Sequence, residues 1–195
     1  MIRYIHFSSG PAGVDIARVE ENCFNESKEK GGIMMKKIDS FNVDHLELEP
    51  GIYVSRIDTL GDHQLITYDI RMTAPNDEPP IDLDGIHTIE HTGATWLRNH
   101  EQFGDEVIYF GPMGCRTGFY LILTDQVGHE DVLQMMKDMF AYISEYEGEI
   151  PGATAQDCGN FEGHSQHWAK YYSKEFLERL ENIKDTSFEY QAYNE

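Results

Sequence analysis

The run His87-Thr88-Ile89-Glu90-His91 carries two histidines four residues apart with a glutamate between them. On an α-helix, residues at that spacing share a face, so both imidazoles can reach one divalent cation. Glu90, three residues after His87, flanks the same face. The apolar Ile86 and Ile89 point elsewhere, so one helix offers a metal face and a core face. Two histidines on an ordinary polar helix face remain the plainer alternative on this motif alone.

A third ligand has to come from outside the motif. A downstream glutamate would indicate a metallopeptidase of the inverzincin type, with Glu90 as base to a metal-bound water. Glu145, Glu147, Glu149 and Glu162 are the candidates, none with supporting context. A cysteine would indicate a different centre. Cys158 sits in Gln156-Asp157-Cys158-Gly159-Asn160, a loop in which Gly159 permits an unusual backbone conformation. One thiolate with two imidazoles suits Zn(II) or Fe(II) and leaves a coordination position for substrate. Cys115 stands among glycines in Gly111-Pro-Met-Gly-Cys115-Arg116-Thr-Gly118, which suggests an exposed tight turn. The adjacent Arg116 is the candidate to stabilise its thiolate. The third cysteine, Cys23, has no motif around it. An odd cysteine count without a secretory signal argues against a disulfide framework.

These residues need elements to hold them. Gly85 to His100 reads as a helix packing through Ile86, Ile89, Gly93, Trp96 and Leu97, with Asp84 as its N-cap. Gln64 to Met72 alternates, with Ile66, Tyr68, Ile70 and Met72 on one face and Thr67, Asp69 and Arg71 on the other, which predicts a half-buried strand. Val43 to Arg56 predicts one or two shorter strands broken at Pro50-Gly51. Val107–Phe110 and Thr117–Thr124 read as strands around the Cys115 turn. Glu130 to Tyr146 predicts a helix with Val132, Leu133, Met136, Phe140 and Ile143 inward. Gly163 to Asn182 predicts another, carrying Trp168, Tyr172, Phe176 and Leu180. Trp96 and Trp168 read as core anchors. The class is α+β: an antiparallel sheet with helices packed on one face, in a single domain.

The balance of 35 acidic against 15 basic residues gives a net charge of −20. That disfavours a nucleic-acid partner, which needs clustered Lys and Arg. No run is long and apolar enough for a transmembrane helix, and the first residues contain no apolar signal-peptide core. A cytoplasmic location is the expectation. Residues 1–33 lack sustained periodicity and contain the breaker-rich Ser8-Ser-Gly-Pro-Ala-Gly13. They are expected to be an irregular extension outside a catalytic domain over residues 34–195. Glu29-Lys-Gly-Gly32 implies a purine-rich coding stretch just ahead of Met34 and Met35, as at a bacterial ribosome-binding site feeding a start at either methionine.

Over roughly residues 35–182 the chain resembles the S-ribosylhomocysteine lyases of the LuxS family, which are inverzincin-like in fold. The blocks that carry the likeness, in order, are Ser40-Phe-x-x-Asp-His45, Tyr68-Asp-Ile-Arg71 with Pro75-Asn76, His87-Thr-Ile-Glu-His91, Pro112-Met-Gly-Cys-Arg-Thr-Gly-Phe-Tyr120, and Cys158-Gly-Asn with His164 six residues on. The resemblance implies metal-dependent cleavage of S-ribosylhomocysteine to homocysteine and a dihydroxypentanedione, the precursor of autoinducer-2. It implies His87, His91 and Cys158 as ligands of one divalent ion per chain. It implies Cys115 and Glu90 as the acid–base pair, and Ser40, His45 and Arg71 as substrate contacts. It also implies a homodimer with active sites at the subunit interface. His164 fits the pattern as a residue that supports the ligands or packs beside them. His6, His63, His100, His129 and His167 have no such support. One position departs from the family: an acidic residue is usual where this chain has Tyr109, ahead of Pro112-Met-Gly-Cys115.

Overall fold

The computed structural model describes residues 43–190. The expectations for Ser40, Cys23, His6 and residues 1–33 fall outside the described residues.

Among the described residues, four strands form one sheet in the order β1-β2-β4-β3, antiparallel throughout: β1 (Gly51–Leu60), β2 (His63–Arg71), β3 (Val107–Pro112) and β4 (Gly118–Thr124). The helices are α1 (Leu83–Arg98), α2 (His129–Glu145) and α3 (Gln166–Glu181). A short 3₁₀ turn, Gly104–Glu106, leads from α1 into β3. Alternation along β2 and β4 puts Ile66, Tyr68 and Ile70 beside Phe119, Leu121 and Leu123 in the core. The helices complete that core with Ile86, Ile89, Leu97, Val132, Met136, Phe140, Ile143, Phe176 and Leu180. Phe140 of α2 meets Phe176 of α3 edge to face, with ring centroids 5.0 Å apart. The α+β reading with helices on one face of an antiparallel sheet holds.

Several sequence expectations shift. β1 is one strand that begins at Gly51, not a pair broken there. Its register skips between Val54 and Arg56, so Ser55 is a bulged residue. The bulge changes the side-chain phase within the strand. β2 is buried on both faces in its second half, because Thr67, Asp69 and Arg71 are covered as well as the apolar set. α1 starts two residues earlier than expected. Its N-cap is Asp82, whose carboxylate accepts from the backbone N–H groups of Asp84 and Gly85, both at 3.0 Å. Trp96 packs against the core, but Trp168 is 40% exposed, its ring edge to face with Tyr171 and tilted against Tyr172.

The start of α3 is seated on the start of α1. A Cβ built on Gly85 would lie 2.8 Å from Cβ of Trp168, so only glycine allows this approach. Ser165, the α3 N-cap, donates its backbone N–H both to the Asp84 carbonyl (3.1 Å) and to Thr88 Oγ1 (2.9 Å). Through this seat the loop residues just before α3 come to lie over the histidines of α1.

Candidate metal centre and its neighbouring thiol

His87 and His91 project from the same face of α1 with ring centroids 4.7 Å apart. Each is oriented by a backbone carbonyl. His87 Nδ1 donates to Gly163 O and His91 Nδ1 to Pro151 O, both at 2.7 Å. The proton on Nδ1 leaves the Nε2 lone pair of each ring free for a cation. Pro151 is followed by Gly152 in the left-handed region (φ +67°), the backbone turn that glycine tolerates. The unusual conformation expected at Gly159 occurs here instead: Gly159 is not among the positive-φ residues. Cys158 Sγ lies 3.5 Å from His87 Nε2 and accepts the Asn160 backbone N–H at 3.3 Å. For bonds of about 2.0–2.3 Å to a tetrahedral ion, neighbouring donor atoms fall roughly 3.5 Å apart, so the His87–Cys158 spacing fits.

The fourth group is His164. The donor atoms of His87, His91, Cys158 and His164 all lie within 4.8 Å of one another. Its ring stacks on His87, centroids 3.9 Å apart. Thr88 Oγ1 gives its one proton to the Asp84 carbonyl at 2.8 Å, so the 3.2 Å contact to His164 Nδ1 needs the proton on the imidazole. That leaves His164 Nε2 as a lone pair, buried and without a hydrogen-bond partner among the described residues. Burial, then the neighbouring His87 and His91, hold this imidazole below its ordinary pKa against the opposing pull of Asp84. The six-residue spacing from Cys158 was the available signal; it gave no hint that the ring would join the cluster. No carboxylate belongs to the cluster among the described residues. Glu147, one peptidase candidate, pairs instead with Lys170. Glu90 lies on α1 between the two histidines, half-buried.

A second group surrounds Cys115. The β3–β4 connection closes with Arg116 N donating to Met113 O at 2.9 Å, and Cys115 is exposed at its tip, as the flanking glycines suggested. Arg116 takes the left-handed conformation (φ 60°) and turns its guanidinium toward the Ile81 carbonyl. The cation at Cys115 is therefore Arg71, not Arg116. Arg71 Nη1 lies 3.9 Å from Cys115 Sγ and 2.6 Å from Thr117 Oγ1, and Thr117 Oγ1 lies 3.1 Å from the sulfur. Burial raises the thiol pKa, but the Thr117 hydroxyl and backbone N–H, with the Arg71 charge, outweigh it, and Cys115 falls below the ordinary thiol range. Opposite Arg71 on β4 stands Gly118, where a Cβ would fall 2.1 Å from the Ile70 carbonyl oxygen.

The remaining sequence-predicted residues are less informative. His45 donates Nδ1 to the Val43 carbonyl at 2.9 Å, a local turn contact. His100 accepts backbone N–H groups of the next turn, and His129 bonds the Thr186 carbonyl. His63 and His167 are exposed. No helix among the described residues is long and apolar enough to cross a membrane.

A family model described as S-ribosylhomocysteinase (LuxS) matches residues 38–187. The S-ribosylhomocysteine lyase of Finegoldia magna is 53% identical over 156 residues, 80% of this chain and 99% of that protein. That of Clostridium acetobutylicum is 49% identical over the same shares. That of Desulfotalea psychrophila is 47% identical over 159 residues, 81% of this chain and 100% of that protein.

Proposed function

The chain belongs to the S-ribosylhomocysteinase (LuxS) family, and from that membership we propose that it cleaves S-ribosylhomocysteine to homocysteine and a dihydroxypentanedione. The single observation that carries the reading is the juxtaposition of two imidazole lone pairs with a thiol 3.5 Å from one of them. A peptidase of the inverzincin type would call for a carboxylate in that cluster, and a cysteine stands there instead.

His87, His91 and Cys158 would hold one divalent ion per chain, Zn(II) or Fe(II), with His164 Nε2 facing the same space. The ion supplies Lewis acidity that makes protons beside the substrate's carbonyl easier to remove. The chain's own residues do the proton work. The thioether of the open-chain sugar is remote from its carbonyl, so it cannot leave at first. Two successive shifts move the carbonyl along the sugar, each by removing a proton from one carbon and returning it to the next. β-Elimination then takes a third carbon-bound proton as the carbon–sulfur bond breaks and the homocysteine thiolate departs. The two products together contain all the atoms of the substrate, and no oxidant is consumed.

Cys115, whose thiol Thr117 and Arg71 hold below its ordinary range, would carry the early transfers, and Glu90 the later ones. Among the described residues, Glu90 makes no hydrogen bond or ion pair that would occupy its carboxylate. Arg71 presents a fixed charged donor to the substrate, with Ser40 and His45 as further contacts. No hydrogen bond or ion pair among the described residues joins the Cys115 group to the metal cluster. We place the complete site at the interface of a cytoplasmic homodimer.

The test is multiple-turnover release of free thiol from S-ribosylhomocysteine by the metal-loaded protein. Thiol released in large excess over enzyme supports the lyase; none, with metal bound and the fold intact, overturns it.

A further inference from the structure

The last described residues wrap the edge of the sheet. The Phe188 carbonyl accepts the Val54 N–H at 2.7 Å, at the residue just before the Ser55 bulge of β1. The Phe188 ring is buried on the helix side, stacked on His129 and edge-on to Tyr68. Two residues later Tyr190 lies on the opposite face. Its ring stacks on Tyr53 at 4.8 Å with an interplanar angle of 8°. Tyr53 pairs in register with Asp69, and the Tyr190 hydroxyl donates to Asp69 Oδ2 at 2.9 Å. Between the two anchors Phe188 adopts φ +54°, a conformation costly for a bulky residue, held because both rings are fixed.

Asp69 is 2% exposed and Arg71 3%. The carboxylate takes the guanidinium in a fork, Nε to Oδ1 at 3.1 Å and Nη2 to Oδ2 at 2.5 Å. The remaining nitrogen, Nη1, faces Thr117 and Cys115. A buried carboxylate needs its lone pairs satisfied, and Tyr190 supplies the donor that Arg71 does not. Burial and the adjacent Asp69 keep the Tyr190 phenol well above its ordinary pKa, so it stays a donor. Tyr190 lies beyond the residues that the family model matches.

We propose that Tyr190 is a positioning residue for Cys115: its hydroxyl fixes Asp69, Asp69 fixes Arg71, and Arg71 holds its charge against the thiol. The inference rests on Cys115 being the acid–base thiol of the proposed reaction, but its readout is the thiol itself. Without the phenol, Asp69 is less neutralised and draws Arg71 more strongly, while the guanidinium fork gains freedom. Both changes weaken the cation's hold on Cys115.

The experiment follows iodoacetamide alkylation of the Cys115 peptide against pH by mass spectrometry, in metal-loaded wild-type protein and Tyr190→Phe. That substitution keeps the ring and its stack on Tyr53 and removes only the hydroxyl. The alkylation midpoint should rise by roughly half a pH unit or more, as for the partial loss of a neighbouring opposite charge. The acidic limb of kcat should move with it. Tyr190→Leu, which also removes the stack, should give the same midpoint shift with a lower melting temperature. Unmoved midpoints in both variants, whatever happens to melting, overturn the proposal. If no lyase turnover is found at all, the alkylation profiles still decide this point separately.

Discussion

At Cys158 the thiol faces imidazole nitrogens, and at Cys115 it faces a guanidinium and a hydroxyl. The first environment suits a cation shared with His87 and His91; the second suits a thiolate that exchanges protons. The two cysteines should therefore separate cleanly under substitution. Cys158→Ala removes one of three proposed protein ligands, and metal analysis should show a loss beyond the roughly 10–100-fold that outlying partners of a metal site cost. Tightly bound metal retained in full by that variant would sink the ligand assignment. Cys115→Ala and Glu90→Gln should keep the metal and lose about 10²-fold or more in turnover, the scale of a missing acid–base group. Loss of metal from Cys115→Ala would mean that the two cysteines' roles are exchanged. Helical spacing made His87 and His91 legible in the sequence, because a four-residue period is local information. The partner of Cys115 was not legible. Adjacency pointed to Arg116, whereas the sheet delivers Arg71 from a strand 44 residues away in sequence.

Strand and helix identities followed from apolar periodicity, and the shifted starts of α1 and β1 have physical causes outside that pattern. Asp82 and Asp84 are equivalent as caps by composition. Asp82 prevails because the backbone there is already tied down: Ile81 N donates to Arg116 O at 2.8 Å, and Asp82 N to the Tyr172 hydroxyl. β1 hid its length because the bulge at Ser55 puts Val54 and Ile57 an odd number apart, which reads as broken alternation. One tie between elements carries a pH dependence. Arg179 of α3 forks onto Glu78, at 2.6 and 2.9 Å, and also bonds the Met72 carbonyl, so α3 is fastened to the segment between β2 and α1. The Arg179 hydrogen bond lowers the Glu78 pKa; burial opposes it, and the Ala74 N–H adds to the lowering. A carboxyl depressed in the folded state contributes stability above its unfolded pKa and loses it as pH falls through the folded value. Glu78→Gln should therefore melt below wild type at neutral pH, by about 1 kcal/mol or less for a pair this exposed. The two proteins should converge in acid, below the ordinary carboxylate range. Equal melting at pH 7, or a gap that widens in acid, would contradict this account.

At the scale of the molecule, charge and surface set the conditions for assembly. A chain of net charge −20 repels its copies, so a dimer has to gain from contacts that screening does not weaken. Ile108 and Tyr109 on β3 are exposed apolar groups at an edge of the sheet. The proposed homodimer should accordingly tighten as salt rises, by sedimentation velocity across ionic strength. A monomer that retains full turnover would refute a site completed by two subunits.

The N-terminal residues pose the last question of assembly. In the Finegoldia magna protein, 99% of the length is matched by 80% of this chain, and the family match begins at residue 38. The hydrophobic core among the described residues is drawn from Ile52 to Phe188. We therefore propose that residues 1–33 lie outside the catalytic fold, while Ser40 stays within it. The competing idea is an arm that packs across a dimer through Ile2, Tyr4, Ile5 and Phe7, where burying each side chain would contribute up to roughly 1.5–3 kcal/mol. Such an arm would be felt strongly, so deletion of residues 1–33 discriminates well. The shortened protein should keep its turnover, its sedimentation behaviour and its melting temperature. A drop of more than about 4 °C, which at this domain size corresponds to roughly 1 kcal/mol or more, or loss of the dimer, would show that the arm is part of the structure.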